Sequence, residues 1–199
     1  MGSASEAAMV PEALAQSIVQ YEHGARKRVR EFWSDRRSLL VFLRHFACPG
    51  CSEQLAIVSP YLPELRRDGT RVVLVATSAP NRIPSFAKRM HLDSGLVDVV
   101  TDPTLETHKA AQLVRSFGSL INVTTIAEAV RLYAQGHFAT REAGDGDLYQ
   151  QGGALLVDRD GCVLFRHANQ HMTDHFSMSD VCDVLGSARR GDASLGPRS

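Results

Sequence analysis

The sequence predicts an α/β domain in which a central mixed β-sheet is flanked by helices. Short apolar runs of strand length alternate along the chain with segments whose apolar residues recur at helical spacing. Two late apolar runs are separated by the turn segment Asp-Arg-Asp-Gly at 158–161, which predicts a β-hairpin. A Cys-x-x-Cys pair, Cys48 and Cys51, directly follows the first apolar run. The 199 residues suffice for one domain with a substantial core.

The chain begins with small and polar residues at 1–10, which predict a flexible N-terminus. After Pro11, apolar residues at helical spacing predict an amphipathic helix over 11–32. These residues are Leu14, Ile18, Tyr21, Val29 and Phe32. Basic residues between 26 and 30 lie near its C-terminal end, where cations favour the helix dipole. We interpret them as a solvated helix end rather than a polyanion site.

Three apolar runs predict buried strands at 38–44, 71–77 and 97–100. A helical pattern follows each of them. These patterns cover the segment after the Cys pair, with a kink at Pro60, then 80–91, and then 103 to about 117. Parallel strands joined by right-handed helical crossovers are therefore expected.

Residues 118–146 interrupt this alternation, and we interpret them as a helical insertion that walls a pocket. Strands at 154–157 and 163–165 then form the hairpin, and a last helix covers about 177–188. The tail, 189–199, is small and polar and is expected to be disordered. This layout is that of a thioredoxin-like fold, with an N-terminal helix and a single domain over 11–188.

The composition excludes several classes of protein. The 22 basic and 22 acidic residues balance, so no nucleic-acid footprint is expected. No apolar run reaches the roughly 20 residues needed to cross a bilayer, and the start of the chain lacks the layout of a secretory signal. We therefore expect a cytoplasmic protein without a membrane partner. In that compartment a Cys-x-x-Cys pair indicates redox or metal chemistry rather than a structural disulfide.

The position of Cys48 gives it the properties of a nucleophile. It lies between a predicted strand and a predicted helix, at the N-cap or in the first turn, and Pro49 suits the N1 position. Unpaired N–H groups and the helix dipole at that point stabilise a thiolate and lower its pKa. Cys51 lies one turn further on, where we expect it to be the more shielded. Attack by Cys48 and resolution by Cys51 would give an intramolecular disulfide.

A zinc site is the alternative for such a pair, but it needs two more ligands. Cys162 and Cys182 are isolated in the sequence and are expected to be buried small side chains. His171 and His175 are four residues apart, but they lie in a predicted polar loop. We therefore expect neither a metal nor a bound cofactor.

Arg44 and His45 are further candidates for the site. Arg44 ends the first strand, where its guanidinium would stabilise the thiolate or hold a peroxide oxygen. The alternative is a strand-end cation in solvent. His45 would act as an acid or base, or would only pack in the loop. Glu53 is expected to be solvated rather than part of a proton relay.

The run Val-Phe-Leu-Arg-His-Phe-Ala-Cys-Pro-Gly-Cys at 41–51 resembles the peroxiredoxin-like (AhpC/TSA-type) branch of thioredoxin-fold proteins. More narrowly, it resembles the peroxiredoxin-like 2 group, which includes prostamide/prostaglandin F synthases. Segments at 72–76, 100–103 and 152–161 agree with this resemblance. It implies that Cys48 is the attacking cysteine and Cys51 its partner. Peroxiredoxins place Pro and Thr where this chain has Val41 and His45, and a second Arg where it has Gly152.

The resemblance implies an antioxidant oxidoreductase that reduces a peroxide or endoperoxide, with thioredoxin or glutathione restoring the dithiol. A protein disulfide oxidoreductase is one alternative. However, the segment Gln-Gly-Gly-Ala at 151–154 offers no counterpart to the cis-proline of thioredoxins. A thioredoxin-fold protein recruited to a non-redox biosynthetic step or to partner binding is another. A homodimer also stays open.

Overall fold

The computed structural model of the chain describes residues 8–115, 131, 134 and 145–194, with side chains up to 188. Seven strands form one sheet: β1 Ile18–Gln20, β2 Arg26–Arg28, β3 Ser38–Phe42, β4 Arg71–Ala76, β5 Val97–Thr101, β6 Gly153–Val157 and β7 Val163–Ala168. The α-helices among these residues are α1 Glu12–Gln16, α2 Pro49–Val58, α3 Leu62–Arg67, α4 Ile83–Arg89, α5 Glu106–Ala110 and α6 Met178–Ser194.

The sheet has the strand order β2-β1-β5-β4-β3-β6-β7. The three central strands β3, β4 and β5 pair in parallel, and α2 and α3 connect the first two of them. β6 joins β3 in antiparallel pairing, and β7 pairs antiparallel with β6. The predicted mixed sheet and its late hairpin are therefore confirmed.

β3 lies between β4 and β6, and all five of its residues are buried. Successive side chains point to opposite faces of a strand, so β3 contributes to two cores. Leu39 and Val41 pack on the face covered by residues of α2, α3, α4 and α6. Leu40 and Phe42 pack on the other face with residues of α1 and β1. Burial on both faces explains the nearly continuous apolar run.

The predicted helix over 11–32 is wrong. Only α1 is helical, and β1 and β2 then form an antiparallel hairpin that extends the sheet beyond β5. Gly24 takes φ +84° in the turn, a conformation that L-residues with side chains rarely adopt. Of the predicted stripe, Leu14, Val29 and Phe32 are fully buried against the sheet, whereas Ile18 is exposed, so the spacing does not mark one helix face.

Two predicted helices are shorter than expected. The helix after the Cys pair is interrupted at the expected proline, because Ser59–Tyr61 forms a 3-10 turn between α2 and α3. The predicted helix from 103 to about 117 is limited to α5 among the described residues. Asp102 precedes α5, and its carboxylate accepts hydrogen bonds from the N–H and the hydroxyl of Thr107 in the first turn of the helix. Gln112, with φ 54°, lies just after its end.

The chain ends also differ from prediction where they are described. The Ala8 carbonyl accepts a hydrogen bond from Val163 at 2.7 Å, and the Val10 N–H donates to Gly161 at 2.9 Å. Residues 8–10 therefore pair with the β6–β7 hairpin instead of being free. α6 continues to Ser194, so 189–194 are helical rather than disordered. The predicted insertion at 118–146 lies outside the described residues except for 131, 134, 145 and 146.

Candidate active site

Cys48 occupies the N-cap of α2, and Pro49 is the first helical residue, as predicted. The Cys48 N–H donates to the His45 carbonyl at 3.1 Å, which forms the turn between β3 and the helix. Both cysteines are buried and reduced: Cys48 is 1% exposed and Cys51 7%. The expectation that Cys51 is the more shielded thiol is therefore wrong. A reactant reaches the Cys48 sulfur only after the residues that cover it move.

The two thiols are electrostatically unequal. A hydrogen bond from the Cys51 thiol, the Arg44 charge and the N–H groups of Cys51 and Gly50 outweigh burial and lower the pKa of Cys48 to about 6. The same hydrogen bond, together with burial, raises the pKa of Cys51 well above its ordinary value. The site therefore holds a thiolate at Cys48 beside a protonated thiol at Cys51.

Arg44 is buried, with 4% of its surface exposed, and its guanidinium points to Cys48. Nη1 lies 3.8 Å from the Cys48 sulfur. Nε donates to the Gln150 carbonyl at 3.1 Å, and Nη2 donates to the Leu148 carbonyl. The Arg44 backbone N–H donates to the Cys51 sulfur at 3.2 Å. Arg44 thus contacts both thiols and is not a strand-end cation in solvent.

His45 is also buried, at 4% exposure. Its backbone carbonyl holds the Cys48 N–H, so the residue shapes the turn that presents the sulfur. His108, a fully buried residue of α5, supports the segment just before His45. Its Nε2–H donates to the Leu43 carbonyl at 3.0 Å. Burial lowers the pKa of His108 to about 4, so this ring is neutral near pH 7.

Residues 145–150, here called the strap, lie across the carboxyl ends of β3 and β4. The Asp145 carbonyl accepts from the Ser78 hydroxyl at 2.6 Å, and its carboxylate accepts from Arg82 at 3.2 Å. The Asp147 N–H donates to the Thr77 hydroxyl at 3.1 Å. Together with the bonds from Arg44, these contacts hold the strap next to Cys48.

Asp147 organises the second half of the strap. Its Oδ1 accepts the N–H groups of Tyr149 at 2.7 Å and Gln150 at 2.9 Å, and its Oδ2 accepts from Arg115 at 2.9 Å. Residue 150 follows Cys48 by about a hundred positions, so no local pattern in the sequence indicates that these carbonyls bind Arg44. The strap is the part of the site that sequence reasoning missed.

The 169–176 loop, between β7 and α6, covers the other side of the pair. A Cβ at Gly50 would lie 2.3 Å from the Met172 carbonyl oxygen, so the Pro-Gly of the motif lets this loop approach. A Cβ at Gly152 would similarly lie 2.3 Å from the Phe42 carbonyl. No side chain fits at 152, the position at which the resemblance places a second arginine.

Glu53, on α2, and His175, in the 169–176 loop, form a pair. His175 Nε2 lies 2.9 Å from Glu53 Oε2, and Arg131 donates to Glu53 Oε1 at 3.0 Å. The Glu53 side chain is only 18% exposed, so the expectation that it is solvated is wrong. Sequence reasoning considered both residues separately, but their spacing of more than a hundred positions hid the pairing.

The remaining candidates lie apart from the thiols. Cys162, next to the hairpin turn, and Cys182 in α6 are partly exposed rather than buried. Within the described part of the chain, no group of three His, Cys, Asp or Glu residues is arranged to hold a metal ion. No helix of the described residues is long and apolar enough to span a membrane.

A family model described as AhpC/TSA antioxidant enzyme matches residues 58–171, more than half of the chain. The match begins at the last residue of α2, so it does not include the Cys pair. Peroxiredoxin-like 2C of Mus musculus is 25% identical over 183 residues, which cover 87% of this chain and 79% of the relative. Prostamide/prostaglandin F synthase of Salmo salar is 25% identical over 190 residues, with coverage of 92% and 90%.

Solved structures show the same architecture. Peroxidoxin BcpB of Mycobacterium tuberculosis superposes with a TM-score of 0.59 at 16% identity, covering 92% of this chain and 96% of its own. The bacterioferritin comigratory protein of Xanthomonas campestris superposes with a TM-score of 0.60 at 14% identity, covering 94% and 99%. The predicted thioredoxin-like fold is confirmed by these neighbours. Because the family model matches most of the sheet and the helices between its strands, the chain belongs to the AhpC/TSA antioxidant enzyme family.

Proposed function

We propose that this protein is a thiol-dependent peroxidase that reduces a small hydroperoxide or an endoperoxide through Cys48 and Cys51. The observation that carries the proposal is the contact between Arg44 Nη1 and the Cys48 sulfur at the start of α2. A buried thiolate that is stabilised by a guanidinium and by helix N–H groups is a pre-ionised nucleophile. Membership of an antioxidant enzyme family supports the same chemistry.

With a hydroperoxide, the first step begins when the Cys48 thiolate attacks the terminal oxygen; an endoperoxide would instead leave a sulfenate ester on Cys48, and its alkoxide would depart when Cys51 attacks. The S–O bond forms as the O–O bond breaks, and the leaving alkoxide takes a proton and departs as an alcohol. Cys48 is then a sulfenic acid. Arg44 donates hydrogen bonds to the charge that develops on the oxygens. We assign His45 as the acid that protonates the leaving oxygen.

The second step closes a disulfide. The Cys51 sulfur attacks the Cys48 sulfur, the hydroxyl group leaves as water, and the Cys48–Cys51 bond forms. Two electrons and two protons from an external thiol, such as thioredoxin or glutathione, then restore the dithiol. No prosthetic group is needed for this cycle. A reducing compartment such as the cytoplasm suits it.

Burial of Cys48 favours a small substrate over a protein disulfide. In the reduced protein only 1% of the residue is exposed beneath the strap, so a disulfide-bonded protein substrate has no direct approach to the sulfur; thioredoxin acts on the oxidised pair after the cover has opened. We therefore expect weak activity in an insulin-reduction assay, which separates the proposed peroxidase from a general disulfide oxidoreductase.

The test couples peroxide reduction to NADPH oxidation through thioredoxin and its reductase. The panel contains hydrogen peroxide, alkyl hydroperoxides, a lipid hydroperoxide and a synthetic endoperoxide. Cys48→Ser is expected to abolish turnover of every peroxide that the wild type reduces. Cys162→Ser is the matched control and should keep the wild-type turnover. His45→Gln is expected to lower the rate of the first step. If a protein with an alkylatable Cys48 turns over none of these compounds, the peroxidase proposal fails.

A further inference from the structure

A small cavity lies next to Cys51, on the side of the 169–176 loop. Its volume is about 10 Å³, which is close to the space that one water molecule needs. Polar side chains contribute to its lining, although the loop and the strands around it are largely apolar. These polar residues are Arg44, Gln54, Asn169 and His175.

Several polar atoms around this cavity lack a hydrogen-bond partner among the described residues. Gln54 is 4% exposed, and neither its Oε1 nor its Nε2 is paired there. Asn169 Oδ1 and His175 Nδ1 are in the same situation. A buried polar group without a partner costs roughly 1–3 kcal/mol. One bound water with two to four such partners would satisfy these atoms.

His175 is oriented for proton transfer by its pairing with Glu53. A carboxylate oxygen only accepts, so the Nε2 that contacts it at 2.9 Å carries the hydrogen. Nδ1 then has a free lone pair and can accept a proton. Although burial raises the pKa of Glu53, hydrogen bonds from Arg131 and His175 lower it overall, which keeps the carboxylate charged.

We propose that His175, held by Glu53, accepts the proton of the Cys51 thiol through a single water bound between His175, Gln54 and Cys51. This inference rests on the proposed function, because it assigns the base for the disulfide-forming step. The need for a base is physical: the Cys51 thiol must lose its proton before its sulfur attacks, and burial disfavours the thiolate. His175 acts through the water, so it is a positioning residue and not a contact of the substrate.

Proton transfer from Cys51 and formation of the disulfide make up one step. The Cys51 proton passes to the water, and a water proton passes to His175 Nδ1. The Cys51 sulfur forms a bond to the Cys48 sulfur while the S–O bond of the sulfenic acid breaks. The leaving hydroxide takes a proton from solvent and becomes water, which balances the proton that His175 later releases. The imidazolium formed at His175 is stabilised by Glu53 until it releases its proton to solvent.

The test measures attack by Cys51 without any peroxide. A thionitrobenzoate disulfide is formed on Cys48 with Ellman's reagent, and Cys51 then displaces the second thionitrobenzoate at a rate that does not depend on the reagent concentration. His175→Asn and Glu53→Gln are expected to slow this release by at least about tenfold, given that general bases contribute roughly 10²–10⁴-fold. His171→Asn is the matched control, because His171 is exposed on the same loop.

A pH profile separates a relay from a structural role. A general base that acts in the release gives the rate of the wild type an acid limb, and His175→Asn should lose that limb. The titratable and charged groups near the relay are Cys48 and Arg44 around Cys51, and Glu53, Arg131, His167 and Asp174 around His175. Gln54→Leu, which keeps the size of the side chain but removes its polar atoms, should slow the release in the same direction.

Wild-type release rates in His175→Asn and Gln54→Leu, both shown to be folded by circular dichroism, would overturn the relay. The proposed peroxidase activity is judged separately, by sulfenic acid formation at Cys48 with hydroperoxides. If the relay variants resolve slowly but no hydroperoxide oxidises the wild type, the relay stands and the peroxidase proposal fails. If hydroperoxides oxidise Cys48 of the wild type rapidly but the relay variants form the disulfide at the wild-type rate, the peroxidase proposal stands and the relay fails.

Discussion

The guanidinium of Arg44 and the sulfur of Cys48 lie 3.8 Å apart in a site from which solvent is almost excluded. Arg44 is also fixed by two carbonyls of the strap, so its position does not depend on the sulfur. A cation held in this way stabilises a negative charge more strongly than one exposed to water. The proposed reactivity of the pair rests on this relationship.

The rate of Cys48 alkylation should rise with pH around a midpoint near 6 and level off above about pH 7. The thiolate is the reactive form, and contacts from Cys51, Arg44 and the start of α2 lower the pKa of Cys48 to about 6. Labelling with iodoacetamide, located by mass spectrometry, measures this. Cys162 is an internal control, because burial and two nearby aspartates raise its pKa. A Cys48 midpoint at or above 8.5 would contradict the assignment.

Replacing Arg44 with Met should lower the rate of Cys48 oxidation by a hydroperoxide on the order of 10²-fold. Removal of one preorganised donor from a charge-stabilising site has typically this effect. Arg44→Lys keeps the charge but loses the planar fork, so we expect a smaller loss. Stopped-flow kinetics with the reduced protein measure the rate. Arg36→Met, at an exposed position, is the control, and equal rates in the wild type, Arg44→Met and Arg36→Met would refute a role for Arg44.

Gly50→Ala should destabilise the protein by about 1–3 kcal/mol, the usual cost of overpacking. The added Cβ would lie 2.3 Å from the Met172 carbonyl, a backbone atom that moves only with the 169–176 loop. Urea unfolding of the reduced protein gives the change. Gly95→Ala is the matched control, since its nearest neighbour is an exposed side chain at 3.1 Å. A Gly50→Ala protein as stable as Gly95→Ala would show that the loop yields easily.

His108 should make the fold less stable as the pH falls from 6.5 to 4. Burial lowers its pKa from 6.5 to about 4, so the unfolded chain binds this proton first and unfolding is favoured in that window. The shift corresponds to about 3 kcal/mol at most, and the loss is complete below pH 4. Urea unfolding at several pH values should show a flatter dependence for His108→Gln than for the wild type. Parallel curves would contradict a buried neutral histidine.

The local features of the fold and site were predictable from the sequence. The apolar run of β3, the N-cap position of Cys48 and the turn at 158–161 each depend on neighbouring residues. The β1–β2 hairpin was missed because the apolar residues before, within and after it happen to recur at helical spacing, although only some of them share one core. The contacts of Arg44 with the strap and of Glu53 with His175 join positions about a hundred residues apart, and no single-sequence pattern reports them.

The central place of β3 also links reactivity to global stability. β3 is hydrogen-bonded to β4 on one side and to β6 on the other. Its backbone amide protons should therefore exchange with solvent only when the whole domain unfolds. Arg44 and the turn to Cys48 extend from this slowly exchanging strand, whereas the strap is attached mainly through side chains. Fluctuations of the strap that admit a substrate can therefore release the Arg44 guanidinium from the Leu148 and Gln150 carbonyls while the backbone that carries Arg44 and Cys48 keeps its place.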